Sequence, residues 1–398
     1  MRIMEKVDKL IESLRDEVIS LRREIHMFPE TAFEEYRTSD LVFGYLKNLA
    51  LSSVRKVNKT GVVADLLVDN PKGTVLLRAD MDALPIQEEV EAPYRSKIDG
   101  KMHACGHDAH TAMLLVAAKV LSEIKDELDY NVKFVFQPSE EHAPGGAIGM
   151  IEEGVLENPK VDFAFATHVD GFSKAGIIST KSGVMTAEAD SFKITILGYG
   201  GHGAYPHKTV DPILIASHIV IALQSIVSRE VDPLEPAVVS IGKITSGDVF
   251  NVIPERGELF GTVRTLKREV AEFISSRITD ISMHIANSLR GKVVVDYNFG
   301  YLPLCNNELT TDYIKKIGEL IVGKEHVQES PISMGGEDMS YFLQKVPGTF
   351  YWLGVLNKEK GIIHPNHSPK FDIDEDVLPI GVKMHVYTVL HLNRLSHS

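Results

Sequence analysis

The sequence predicts an α/β protein whose main domain is built on a mostly parallel sheet, with a small ferredoxin-like α+β domain inserted into it. Three observations predict this. Short apolar runs, "GVVADLLV", "TVLLRA", "NVKFVFQ" and "VDFAFAT", alternate with helical patterns in the first 182 residues, the rhythm of strands joined by helices in one layered sheet. Between residues 183 and 298 the order of elements changes to β-α-β-β-α-β, which is a complete split-βαβ unit in itself. Strand and helix patterns then resume in 299–398, so the small unit interrupts the larger one. Residues 1–182 and 299–398 thus form one discontinuous domain and 183–298 a second, in keeping with about 150 residues per domain for a chain of 398.

The elements follow in order. Val7, Leu10, Ile11, Leu14, Val18, Leu21 and Ile25 lie on one helical stripe that Pro29 ends. A second helix begins after His110, where Met113, Leu114, Val116, Ala117, Val120 and Leu121 recur at helical spacing. In the insert, "SFKITILG" alternates as a strand, Pro212 to Ser228 reads as a helix, "AVVSIGKI" and "ELFGTVRT" read as strands, Glu269 to Leu289 as a helix and "KVVVDYN" as the last strand. "GTFYWLG" is a strand of the returning main domain, and a final helix starts near Asp376. No internal repeat or low-complexity tract interrupts this pattern.

Composition removes several function classes. The formal charge is −13 with no basic block to track a phosphate backbone, so nucleic acid is not an expected partner. The N-terminal "MRIMEKVDKLIESLRDEV" carries charges where a signal peptide has its apolar core, and no apolar run is read as approaching the roughly 20 residues of a membrane span; the expectation is a cytoplasmic protein without a membrane partner. Two cysteines, Cys105 and Cys305, exclude a disulfide framework.

The chemistry concentrates in "KMHACGHDAHTAMLLVAA", which places Cys105 and His107 at a loop-to-helix junction. Thiolate and imidazole are both good ligands for zinc and its neighbours in the first transition row. Three further stretches place candidate ligands where strands end: Glu140 and Glu141 in "PSEEHAPGG", His168 after "VDFAFAT", and His364 and His367 in "GIIHPNHSPKF". Each alone reads as a solvated turn, a core histidine or a loop residue. Ligands of open α/β sheets gather at the carboxyl ends of strands, however, and four such ends carrying donors together point to a metal site. Adjacent glutamates permit a division of labour in which one carboxylate binds metal and the other takes a proton from water. Asp80 and Asp82 in "LLRADMDALP" end another strand, where an aspartate can orient a ligating imidazole.

Taken together, "LRREIHMFPE", "LRADMDALP", "MHACGHDAHTAMLL", "FQPSEE", "GGHGAYPH", "NVIPERGELFGTVRT", "MGGEDMSYF" and "NHSPKF" resemble, in order, the M20 family of metallopeptidases and amidohydrolases. The resemblance is to its subgroup of aminoacylases, hippurate hydrolases, auxin-conjugate amidohydrolases and archaeal thermostable carboxypeptidases. It implies two divalent metal ions per subunit, zinc first with manganese, cobalt or nickel as alternatives, bridged by Cys105 and completed by His107, Glu141, His168 and His367. It implies Glu140 as general base and acid. The wider family's H-x-D-x-x-P reads onto "DMDALP" with Asp80 at the histidine position and Asp82 at the orienting acid; which of the two orients stays open, and His107 stands in as ligand.

The insert resembles the family's lid and dimerisation domain. His202 matches an oxyanion-stabilising histidine that in relatives reaches into a partner subunit's site, and Asn251 and Arg264 match substrate-binding positions. The activity implied is hydrolysis of N-acyl amino acids or short and blocked peptides, in a homodimer or homotetramer joined through the lid. Alternatives are an N-acetyl-diaminopimelate-type deacetylase and a non-catalytic metal-binding homologue. A zinc nucleobase deaminase needs a P-C-x-x-C pair, and Cys305 stands alone in "PLCNN".

Overall fold

The computed structural model describes residues 2–394, which fold as two compact units. The first comprises residues up to Met185, Cys305–Pro331 and the chain from Asp338; the second comprises Thr186–Leu304 with Ile332–Glu337. The short return 332–337 thus joins the second unit, although the sequence pattern leaves it in the first.

The first unit is built on an eight-stranded sheet in the spatial order Ser53–Val57, Gly61–Leu66, Asn131–Gln137, Thr74–Asp80, Phe163–Lys174, Gly348–Leu356, Ile178–Thr180, Val327–Glu329. Its centre is parallel, since Thr74–Asp80 runs parallel to both Asn131–Gln137 and Phe163–Lys174, and the latter parallel to Gly348–Leu356. Antiparallel pairs occur towards either side, at Ser53–Val57 with Gly61–Leu66, Gly61–Leu66 with Asn131–Gln137, and Gly348–Leu356 with Ile178–Thr180. Every residue of Gly61–Leu66, Thr74–Asp80 and Asn131–Gln137 is buried, which is why these strands read as continuous apolar runs without alternation.

Parallel pairing aligns the carboxyl ends. Asp80 lies opposite Gln137, and Arg78 opposite Ala166, so the residues after Gln137 and those around His168 flank Asp80 from both sides. His168 lies inside Phe163–Lys174, not beyond its end, because this strand runs on beside Gly348–Leu356 past the point where its other neighbour stops.

Two helical expectations change in detail. The N-terminal stripe is broken at Leu14 into Arg2–Ser13 and Arg15–Met27. The helix expected after His110 starts at His107 and runs to Glu123, so the polar cluster forms its first turn. From Ala109 to Leu121 all but Lys119 of this helix is buried, packed among the sheet and neighbouring helices. An apolar surface on all sides is what a helix enclosed within a domain requires.

The second unit has the predicted β-α-β-β-α-β order, with strands Glu188–Leu197, Ala237–Ser246, Arg256–Thr265 and Lys292–Tyr301 and helices Pro212–Ser225 and Arg268–Ser288. Its sheet is antiparallel, in the order Ala237–Ser246, Arg256–Thr265, Glu188–Leu197, Lys292–Tyr301. Alternate residues Phe192, Ile194 and Ile196 face Ile215, Ile219, Leu223, Ile274 and Ile278 of the helices. Pro212–Glu230 is long and apolar enough by composition for a membrane span, contrary to the sequence reading. In the fold its Ile215, Ile219, Leu223 and Ile226 belong to this core, while Ile213, Leu214 and Ile221 are exposed.

Candidate metal centre

Two parallel strand ends, the interior of a third strand, one helix start and one loop build the site. Helix His107–Glu123 starts at Gly106, whose φ of +88° lies in the left-handed region. A Cβ on Gly106 would stand 2.2 Å from Val169 Cγ2, so only glycine lets the helix start pack against the segment that carries His168. The loop after Asn131–Gln137 also turns through the left-handed region, at Ser139 with φ +53°. Two buried carboxylates hold it there. Glu35 accepts the Ser139 N–H at 2.9 Å, and Asp82 accepts the N–H groups of Glu140 and Glu141, both at 2.9 Å.

Around His107 the donors converge without bonding one another. The side chain is fully buried, and neither ring nitrogen makes a hydrogen bond among the described residues. Asp82 Oδ1 lies 3.3 Å from Nδ1, while Asp80 Oδ2, Glu141 Oε1 and Glu140 Oε2 surround Nε2 at 3.8, 3.9 and 4.0 Å. His168 Nε2 lies 3.4 Å from Cys105 Sγ, and its Nδ1 donates to the Val169 carbonyl at 2.8 Å, which leaves Nε2 as a lone pair facing the sulfur. Glu141 Oε1 lies 3.2 Å from His367 Nε2. His367 itself is held at φ +67°, and its N–H donates to the Ala104 carbonyl at 2.7 Å.

These separations fit a metal. Two atoms each about 2.1 Å from one zinc at the tetrahedral angle stand about 3.4 Å apart. Cys105, Glu141 and His367 form one compact donor group; Asp80, His107, His110 and His168 form a second; His107, Glu140 and Glu141 link them. A buried imidazole with both nitrogens unbonded among carboxylates is costly unless an ion completes it.

The electrostatics agree. Burial pulls the His107 imidazolium down, but Asp80 and Asp82 outweigh it and push its pKa up to about 10. Burial, with Glu141 and Glu140 nearby, raises the Cys105 thiol well above its usual range. The surplus negative charge is of the kind a divalent cation neutralises, and burial with the neighbouring His110 keeps His168 neutral, the ligating form.

His110 is different. Its Nδ1 lies 2.5 Å from Asp80 Oδ1 and its Nε2 accepts the Val169 N–H at 2.9 Å, so both nitrogens are committed. It ties Asp80 to the segment of His168. Arg78, fully buried, extends this network: it donates to Asp80 Oδ2 at 2.6 Å, to Gln137 Oε1 at 2.9 Å and to Asp338 Oδ1 at 2.8 Å. The sequence reading gave no role to Arg78, His110 or Glu35. An arginine inside an apolar strand was a usable signal for the first, since a buried guanidinium requires partners. Asp80 lies against His110 Nδ1 at 2.5 Å, and Asp82 is the carboxylate nearer His107, at 3.3 Å from Nδ1.

The structure therefore brings Cys105, His107, Glu140, Glu141, His168, His367 and Asp82 together. His202, Asn251 and Arg264 lie in the second unit. There His202 pairs with Val252 in a two-residue ladder, and the Asn251 carbonyl accepts the Gly203 N–H at 2.8 Å. The exposed His202 accepts the Ala204 N–H at Nδ1 (3.0 Å), which puts the ring proton on Nε2. The half-buried Arg264 bonds to the carbonyls of Val263 and Asp190 and to Thr262 Oγ1, not to a carboxylate.

Residues 76–391 match the model of Peptidase family M20/M25/M40. The chain is 40% identical over 395 residues to thermostable carboxypeptidase 1 of Saccharolobus solfataricus, covering 97% of this chain and 98% of that one. It is 40% identical over 375 residues to IAA-amino acid hydrolase ILR1-like 4 of Arabidopsis thaliana, covering 93% and 84%. Among solved structures, the Bacillus subtilis YXEP protein, a dinuclear metal-binding peptidase from the M20 family, superposes with a TM-score of 0.81 at 31% identity, covering 96% of this chain and 99% of that one.

Proposed function

Because the chain belongs to Peptidase family M20/M25/M40 and is a metallo-hydrolase of amide or peptide bonds, we propose that it releases free amino acids from N-acyl amino acids or short and blocked peptides. The observation that carries this reading is His107, buried and unbonded at both nitrogens among Asp80, Asp82, Glu140 and Glu141. The names carboxypeptidase and IAA-amino acid hydrolase share an amide whose amine side is an amino acid, which supports the substrate class.

Cys105, His107, Glu141, His168 and His367 would hold two divalent ions, the number described for YXEP. Zinc suits the thiolate best; manganese, cobalt and nickel suit the imidazoles and carboxylate. Bound there, such ions supply Lewis acidity to a substrate carbonyl and lower the pKa of water to about 7.

The chain's own residues do the rest. Glu140, whose carboxylate lies 4.0 Å from His107 Nε2, takes the proton of the attacking water and delivers it to the departing nitrogen. Asp82 fixes the backbone of Glu140 and Glu141 and faces His107 Nδ1, steadying base and ligands with one carboxylate. His202, with its proton on the exposed Nε2, is in the form that donates to a developing oxyanion, and Asn251 and Arg264 are assigned to the substrate. A homodimer through the second unit is supported by the edge strand Ala237–Ser246 and the exposed Ile213, Leu214 and Ile221 of the helix Pro212–Ser225.

The test is release of free amino acid from a panel of N-acetyl, N-benzoyl and benzyloxycarbonyl amino acids and dipeptides. The protein is first stripped by chelator and then given zinc, manganese or cobalt. Turnover restored by a metal is expected. Silence across the panel with metal bound overturns the reading.

A further inference from the structure

Asn366 bonds to two of the stretches that carry ligands and lies next to the ligand of a third. Its Nδ2 donates to the Cys105 carbonyl at 3.1 Å and to the Val169 carbonyl at 3.2 Å, and stands 3.9 Å from Cys105 Sγ. Its Oδ1 accepts the Gly171 N–H at 2.9 Å. Only one orientation of the carboxamide satisfies these partners, because two carbonyl oxygens need donors and one N–H needs an acceptor. One neighbour of Asn366 is His367, whose left-handed backbone is pinned to Ala104. A single half-buried amide thus joins the segment of Cys105, the segment just after His168 and the loop of His367, three stretches more than 60 residues apart in sequence.

We propose that Asn366 is the positioning residue of the metal centre: its carboxamide locks the segments of Cys105, His168 and His367 into one arrangement and directs an N–H at the Cys105 sulfur. This rests on the metal-hydrolase reading above. Outer partners of this kind orient ligands and tune their donor strength, and losing one typically lowers metal affinity about 10–100-fold. An N–H directed at a thiolate withdraws electron density from sulfur, so its removal makes the sulfur a better electron donor to a bound ion.

Cobalt(II) alone is the probe, because a thiolate–cobalt(II) bond absorbs in the near ultraviolet by charge transfer from sulfur to metal. Affinity is read from the fluorescence of Trp352, the only tryptophan in the chain, whose ring lies 5.2 Å from that of His168. Asn366→Leu keeps the bulk and loses both donors without adding charge; Asn366→Ala serves if the leucine variant does not fold. The expected result is cobalt(II) bound about 10–100-fold more weakly, with the charge-transfer band moved to longer wavelength. Variants that melt lower in the metal-free state but keep wild-type affinity and band position make Asn366 a packing residue and overturn the proposal alone. A wild-type protein that binds cobalt(II) with no sulfur band overturns the proposal and the assignment of Cys105 beneath it.

Discussion

His107 and Asp108 are adjacent in the chain and equally buried, yet their surroundings differ in kind. His107 faces four carboxylates and bonds to none of them. Asp108 Oδ2 accepts from Arg22 Nε at 2.8 Å and lies 2.7 Å from His26 Nδ1. Arg22 in turn reaches Asp372 at 3.1 Å and Glu375 at 3.2 Å, and its guanidinium stacks on Tyr94, whose hydroxyl donates to Asp372. One residue sits where four carboxylates converge; the next has its charge met by Arg22 and His26 through Oδ2, although its Oδ1 has no hydrogen-bond partner among the described residues. The difference teaches how to tell a site from a scaffold in a region rich in charge: carboxylates gathered in excess around one imidazole mark the first, opposite charges paired between distant segments the second.

The largest test of that contrast falls on the open face. Glu140→Gln keeps the side chain's size and removes its basicity, so turnover on an N-acyl amino acid should fall about 10²–10⁴-fold while metal binding, followed by Trp352 fluorescence, is unchanged. Near-normal kcat with metal bound would remove Glu140 as base. On the closed face, Asp108→Asn removes the most buried of the three carboxylates around the Arg22 guanidinium and should cost stability in denaturant unfolding, up to about 3–5 kcal/mol, with metal stoichiometry retained. Loss of metal without loss of stability would reverse the assignment of the two faces.

The pH dependences also separate them. Burial disfavours the Asp108 carboxylate, but Arg22 and His26 outweigh it and hold its pKa well below the ordinary range. A depressed carboxylate contributes stability that is present above the unfolded pKa of about 3.9 and lost as pH falls through the folded value, so Asp108→Asn should flatten the stability curve below about pH 4. On the open face the shifts are upward. With the His107 pKa raised to about 10 and Cys105 raised as well, both are protonated in the metal-free protein at neutral pH, and an ion must displace both protons. Metal affinity from chelator competition should therefore rise by up to about 100-fold per pH unit near pH 7. A flat profile would mean that these two groups are not ligands.

The smallest effect is expected from Tyr94→Phe, which removes one hydrogen bond from the closed face: about 1 kcal/mol of stability, with neither metal affinity nor kcat altered.

What the sequence made legible follows the same division. Cys105, His107, Glu140, Glu141, His168 and His367 could be found because ligand chemistry restricts residue types and strand ends restrict places. The βαββαβ order of the second unit was readable because its strands have one buried face and alternate. The partners of these groups were harder to read: His110, Glu35 and Asn366 act through bonds to residues 30 or more positions away, and nothing local marks such a bond, while Arg78 is marked only by its place inside an apolar strand. Leu14 shows a further limit, since an apolar residue on the correct stripe gives no sign that the helix breaks beneath it.

Gly106 bears on what variation this protein tolerates. A side chain there would have to occupy the space of Val169 Cγ2 as well as adopt a backbone shape that L-residues avoid. Enlarging Val169 meets the same wall from the other side. The two positions are therefore a matched pair, and a random library screened for activity should return glycine at 106 together with small or β-branched residues at 169, although neither position has a polar side chain or donates to a ligand.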